Sequence, residues 1–353
     1  MRIGMIAPIW ESTPPEGYGG IERVVDLLVR NLRERGHTVT LFATGDSPGA
    51  VEGTWTEAVA LRKLGYDTYS AQMAEAMHLA NALARRDAFD LLHSHVGPLG
   101  NIVAAACGAR MLSTLHGPFT PENLRYYQTY ATHPYVSISD AQRAGFPSLN
   151  YLGTVYNGIE TASYRCGKKQ GYLLFLGRIS PEKGTHLAIA AARRMGLPLV
   201  IAGKVDPYDQ EYFEREVAPE LDGERVRFIG EVAGRAKREV FEGAIALLHL
   251  VQWSEPFGLA MVEAMASGTP VVAMRYGSIP EVVTPGLTGF IVDSLDEAVQ
   301  ALERVSSLDP HACRQAAVSR FDVSRMVEGY LSIYASFVSP PAKALSSPPG
   351  RSE

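Results

Sequence analysis

The chain has 353 residues, is 46% hydrophobic and carries a formal net charge of −5. That length is enough for two domains, the composition is that of a globular protein, and the charge excludes a global basic field for nucleic acid. Cys107, Cys166 and Cys313 are unevenly spaced with no CxxC pair. This argues against a disulfide framework or zinc site and leads us to expect a reducing, cytoplasmic setting. The apolar start Met1–Pro8 is too short for a signal peptide, and no apolar run approaches the roughly 20 residues of a membrane span. Arg30, Arg33 and Arg35 suit either a solvated helix face, the preferred reading, or an anionic lipid surface, so peripheral contact with the inner face of a membrane stays open.

Short apolar strands alternate with amphipathic helices, which predicts parallel sheets built from βαβ units. Arg2–Ala7 reads as the first strand. Gly19 to Arg35 reads as the first helix, with Ile21, Val24, Val25, Leu28 and Leu32 on one face and Gly36 as its stop. Thr38–Ala43 follows as a strand, Tyr69–Arg86 as a long helix of little charge, then Leu91–His95, Met111–Leu115 and Tyr135–Ile138 as strands. About six strands are expected before residue 157. The stretch Asn157 to Gly171 has no periodicity and reads as a linker. The alternation then restarts with Leu173–Leu176, Leu199–Ala202, Val226–Ile229, Ala246–Leu250, Val271–Ala273 and Gly289–Val292. Two Rossmann-like domains are therefore expected, 1–157 and 158–322, with ligands at the strand C-terminal ends in the cleft between them. A last helix is read at Val323–Phe337, and 339–353 is Pro/Ser-rich and expected to be disordered.

The most informative run is Ser254–Pro270. Glu255-Pro256 lies in a segment that Pro and Gly keep non-helical, Leu259 to Ala266 reads as a helix, and Gly268 stops it. Glu255 and Glu263 thus flank a helix start whose free N–H groups belong to Phe257, Gly258 and Leu259. Carboxylates accept from hydroxyls and N–H groups donate to phosphates, so a sugar joined to a phosphate fits there. Gly19 and Gly20, between the first strand and first helix, let a backbone approach a phosphate in the same way, although G-x-G-x-x-G is absent. Arg178 and Lys183 follow a strand and can grip phosphate oxygens. His93 and His95 alternate to one face of a strand, but no third ligand is evident for a metal.

These runs, in order, resemble the retaining glycosyltransferases of family 4, which have the two-domain GT-B fold. Glu255 and Glu263 match the family's E-x7-E signature. Tyr18-Gly19-Gly20-Ile21-Glu22-Arg23, Asn157-Gly158-Ile159, the Gly177-Arg178 to Lys183-Gly184 segment, Gly277 to Val283 and Gly286-x-x-Gly289-Phe290 are similar to its other motifs. The resemblance implies transfer of a hexose from a nucleotide-diphosphate sugar, UDP favoured, to a hydroxyl-bearing small molecule, glycan or lipid-linked acceptor, with retention of configuration. It implies that the last helix crosses back onto the first domain. It implies Arg178 and Lys183 on the leaving diphosphate, so that no cofactor and no metal ion are expected. Glu255 would orient the hexose and Glu263 the ribose, Glu231 and Val232 would lie where the base is read, and His116, ending a strand before Gly117-Pro118, would stand near the reaction centre. Trp10, Tyr18, His95 and Tyr126 are the acceptor-side candidates. Two other readings share the architecture: a nucleotide-sugar 2-epimerase and a non-catalytic nucleotide-sugar-binding protein.

Overall fold

The computed structural model describes residues 1–338; the Pro/Ser-rich segment expected to be disordered lies outside the described residues. The first domain holds β1 (Arg2–Ile6), β2 (Thr38–Phe42), β3 (Leu91–Ser94), β4 (Met111–Thr114), β5 (Tyr135–Ser137) and β6 (Tyr151–Thr154). They form one parallel sheet in the order β2-β1-β3-β4-β5-β6. The second domain holds β7 (Tyr172–Leu176), β8 (Leu199–Ala202), β9 (Val226–Phe228), β10 (Ala244–His249), β11 (Val271–Met274) and β12 (Gly289–Val292), parallel in the order β12-β11-β10-β7-β8-β9. Helices cover both faces of each sheet, so strands such as β3, β4, β8 and β11 are buried along their whole length. The strand order reverses between β1 and β3 in the first sheet and between β7 and β10 in the second. Such switch points open a crevice at the strand C-terminal ends.

The amphipathic first helix runs Gly20–Glu34 and buries Val24, Val25, Leu28 and Leu32. Arg30 on it pairs with Asp26 at 2.9 Å and Glu160 at 3.0 Å, and Arg33 donates to the Val39 carbonyl at 2.8 Å. Two of the three arginines that suited a lipid surface thus have intramolecular partners while staying exposed. The long uncharged helix starts at Thr68, where Asp67 accepts from the Ser70 N–H, and ends at Leu83. No helix among the described residues is long and apolar enough to cross a membrane.

The chain passes between domains twice. Ile159 bridges to the returning segment, donating to the Phe321 carbonyl at 3.0 Å and accepting from the Val323 N–H at 2.9 Å. The last helix, Val323–Val338, then lies on the first domain, where Tyr330 and Tyr334 are fully buried in the cluster containing Ile3, Leu28 and Leu112. The unpatterned stretch after Asn157 is less loose than its composition suggests. Ile159, Thr161 and Tyr164 are buried, Ile159 and Tyr164 in the second domain's core.

Candidate active site

A cavity lies in the crevice between the domains. The first domain contributes the turn Gly17–Gly20 and Arg23. The second contributes the ends of four adjacent strands: Gly177-Arg178 and Lys183 after β7, Gly203-Lys204 after β8, Glu231-Val232 after β9, and His249 and Glu255 after β10. Gly258, Leu259, Ala260 and Glu263 complete it from the helix Leu259–Ala266. That helix and the first helix meet by their N-termini: a Cβ on Gly20 would stand 3.3 Å from Leu259 Cδ1. Two helix N-termini lining one cavity sum their positive ends there.

Local sequence explains how the second domain's side chains reach the cavity. Gly184 closes the short turn after Lys183 at φ 71°, and a Cβ there would sit 2.0 Å from the Leu250 carbonyl oxygen. Only glycine lets this loop lie against the end of β10, which brings Lys183 beside Glu255. Gly258 caps the glutamate helix at φ 83°, with Met261 Cε 2.4 Å from where a Cβ would be.

Glu255 is 7% exposed. Its Oε2 accepts from Lys183 Nζ at 2.7 Å and from the Trp253 indole N–H at 3.1 Å, with His249 Nε2 3.5 Å away. The Lys183 ammonium also stands 4.3 Å from the centre of the Trp253 ring. Burial alone would raise the Glu255 pKa, but the charges of Lys183 and His249 more than offset it and hold it at about 2. It is a fixed carboxylate, with Oε1 left to meet a ligand. Glu263 is 1% exposed and accepts from Lys237 Nζ at 2.6 Å and the Tyr164 hydroxyl at 2.9 Å. Burial, and then the Glu263 charge, push the Tyr164 hydroxyl well above its ordinary pKa, so it stays a donor. Glu263 Oε2 is buried with no hydrogen-bond partner among the described residues, an acceptor aimed at something the free protein does not supply.

Arg178 is held by acids. It pairs with Glu182 and lies 3.4 Å from Asp209 and 3.9 Å from Asp206. Lys204 pairs with Asp206 at 3.0 Å and stands 4.4 Å from the centre of the Tyr18 ring. These cations would exchange carboxylate partners for an anionic ligand.

His116 is the end of a polar chain through the first domain. Its Nε2 is 2.8 Å from His95 Nδ1, and the His95 ring packs on His93 at 4.1 Å between centres. His93 is fixed on both nitrogens, by Tyr334 at 2.7 Å and Thr114 at 2.8 Å. The two histidines therefore do not converge on a metal. Burial lowers the pKa of all three, that of His116 to about 3, so the chain is neutral at working pH.

Of the residues singled out from sequence, Gly19, Gly20, Arg178, Lys183, Glu231, Val232, Glu255, Gly258, Leu259, Glu263 and Tyr18 line the cavity. Phe257 does not: its ring turns into the core against Phe321 at 5.8 Å, leaving only its backbone near the site. His116 and His95 are not among the residues lining the cavity; His95 is 2% exposed, its Nδ1 lies 2.8 Å from His116 Nε2, and its Nε2 is buried with no hydrogen-bond partner among the described residues. Trp10 and Tyr126 are exposed on the first domain, Trp10 donating to Glu75 at 3.1 Å. Sequence reading missed Trp253, His249, Lys204 and Tyr164. His249 and Lys204 stand at strand C-terminal ends, the same signal that marked Arg178. Tyr164 sits in the unpatterned linker, where nothing marked it.

Residues 18–162 match the family described as Glycosyltransferase Family 4, and residues 160–319 match Glycosyl transferases group 1. The chain belongs to glycosyltransferase family 4. Among curated relatives of this family, a phosphatidyl-myo-inositol mannosyltransferase of Mycolicibacterium smegmatis is 28% identical, over 91% of this chain and 88% of its own. An alpha-maltose-1-phosphate synthase of Mycobacterium tuberculosis is 29% identical, over 95% and 99%. Among solved structures, a glycosyltransferase involved in avilamycin A biosynthesis is 27% identical with a TM-score of 0.71, covering 96% of this chain and 98% of that one. A sucrose-phosphate synthase from Thermosynechococcus elongatus shares the fold at 17% identity and a TM-score of 0.77, over 95% and 98%. The protein is a glycosyltransferase of GT-B architecture.

Proposed function

We propose that the protein moves a hexose from a nucleotide-diphosphate sugar, UDP-sugar favoured, to a hydroxyl of a small-molecule, glycan or lipid-linked acceptor, with retention of configuration and without a metal ion. The observation that carries this is the meeting of Gly19-Gly20, Arg178, Lys183, Glu255 and Glu263 in one cavity. Expulsion of a diphosphate builds negative charge on the leaving oxygen. Arg178, Lys183 and the two helix N-termini supply positive charge for it, with Lys204 beside them. The orphan Glu263 Oε2 suits a ribose hydroxyl, and the ionised Glu255 suits the hexose hydroxyls. With a pKa of about 2 and two donors on one oxygen, Glu255 is a poor base. The leaving phosphate then takes the acceptor proton on the face from which the acceptor attacks. The free cysteines fit a cytoplasmic setting, peripheral to the inner face of a membrane if the acceptor is lipid-linked.

The test is thermal stabilisation by UDP, GDP and ADP, alone and as sugar conjugates, with and without EDTA. A ligand at 100-fold its dissociation constant adds about 2.7 kcal/mol. A selective shift with a UDP-sugar that EDTA leaves unchanged is expected. A shift abolished by EDTA would overturn metal independence, and no shift with any nucleotide would overturn the donor assignment.

A further inference from the structure

Two carboxylates of the second domain cross to backbone N–H groups of the first. Glu281 accepts from the N–H of Asp140 at 2.8 Å and of Ala141 at 2.6 Å, and from the Tyr156 hydroxyl at 2.9 Å. Tyr156 directly precedes Asn157-Gly158, so this contact lies beside the chain crossing and can persist while the domains turn about it. Glu231 makes the second contact, at the cavity. Its Oε2 accepts from the Tyr18 N–H at 2.9 Å and its Oε1 faces Arg62 Nη1 at 3.6 Å. The Tyr18 ring is held between charges, with Lys204 Nζ of the second domain 4.4 Å from its centre and the Arg62 guanidinium of the first 5.6 Å away. Gly17 leaves room for the carboxylate in this position: a Cβ there would stand 2.7 Å from Glu231 Oε2, and the side chain would have to swing away.

We infer that Glu231 is a positioning residue for the closed cleft, its carboxylate holding the Tyr18-Gly19-Gly20 turn of the first domain against the second domain's donor pocket. The inference rests on the proposed donor reading for its effect on catalysis, but not for the contact itself. Gly19 and Gly20 can offer their backbone to a phosphate only when the domains are closed. Beside the turn, Leu259 of the second domain packs on the first domain's apolar cluster, a contact without direction. A hydrogen bond from a backbone N–H to an ionised carboxylate, with Arg62 behind it, supplies the directed tie. The Glu231 side chain is 39% exposed, so the tie is weak enough to release when product leaves.

The test compares wild type with Glu231→Ala, Glu231→Gln and Gly17→Ala by small-angle scattering of the ligand-free protein and by donor kinetics. Glu231→Ala and Gly17→Ala are expected to enlarge the radius of gyration. They should also raise KM for the nucleotide sugar about tenfold, with kcat at saturating donor within about twofold of wild type. Glu231→Gln keeps an oxygen for the Tyr18 N–H but loses the pairing with Arg62, and should fall between. Wild-type scattering and KM in Glu231→Ala would overturn the inference, as would a loss of kcat at unchanged KM. If the wild type binds no nucleotide sugar, the donor reading fails while the scattering comparison still decides the clasp.

Discussion

The two halves of the cleft are built differently. The second domain presents side chains that are buried and already paired: Glu255 with Lys183 and Trp253, Glu263 with Lys237 and Tyr164. The first domain presents backbone at the Gly17–Gly20 turn, with the Tyr18 ring in the cavity lining, and its Trp10, Tyr18 and Tyr126 are each more than 40% exposed. Preordered polar groups cost no reorganisation when charge develops, whereas exposed aromatics on loops adapt to varied shapes. On the proposed function, discrimination of the donor falls to a rigid half and accommodation of the acceptor to a pliable one.

The largest effect that would break this contrast is on the rigid side. Arg178→Ala should lower kcat by roughly 10³-fold with a far smaller effect on the unfolding midpoint, since the half-buried arginine lies in the cavity wall against carboxylates and outside the apolar core. Steady-state kinetics beside a thermal melt checks both halves. Lys183→Ala should cost a similar factor and add an acid limb to the pH–rate profile. Lys183 is the strongest influence lowering the Glu255 pKa, so without it the carboxyl protonates as pH falls, and activity should drop further at pH 5 than at pH 8. An unchanged profile shape would mean that Glu255 need not be ionised.

A smaller effect concerns stability at the glutamate helix. Gly258→Ala should destabilise by about 2 kcal/mol in urea denaturation, from positive φ and the Met261 contact. Glu22 sharpens the view of the other half. It is 5% exposed in the first turn of the first helix, and burial raises its pKa to about 7 from 4.5. A raised folded-state pKa means its contribution to stability is full below about pH 4.5 and is lost as pH rises through 7. Glu22→Gln should therefore match wild type at pH 5 and exceed it at pH 8.5, read from urea midpoints. The smallest effect should come from Trp10→Ala: a severalfold rise in acceptor KM with donor KM unchanged. A change in donor KM alone would reverse the assignment of the two halves.

Much of this was legible in the chain. Short apolar runs alternating with amphipathic period-3.6 stretches located both sheets, and the helix Leu259–Ala266 ends where the pattern said. β6 was harder to read because Tyr151-Leu152-Gly153-Thr154 is a half-exposed edge strand with no apolar run. β10 begins at Ala244, two residues early, because alanines carry little periodic signal. In the site, motif residues were visible because loop glycines and strand ends mark them. Trp253 and Tyr164 were not, since their roles arise from which oxygen they reach, and that depends on a fold closing over distant segments. Strand alternation gave His95 its face but not the His116 ring that lies against it.

The last helix has a consequence for how the protein is made. The first sheet comes off the ribosome complete by Thr154, yet its core needs Tyr330 and Tyr334, and His93 keeps an unmet partner until Tyr334 arrives. At 5–20 residues per second, that leaves a nascent domain with an open apolar flank for roughly 10 to 40 seconds. The first domain therefore completes its core only after Val323–Val338 has been made, and a chain cut short before Val323 would leave it without Tyr330 and Tyr334.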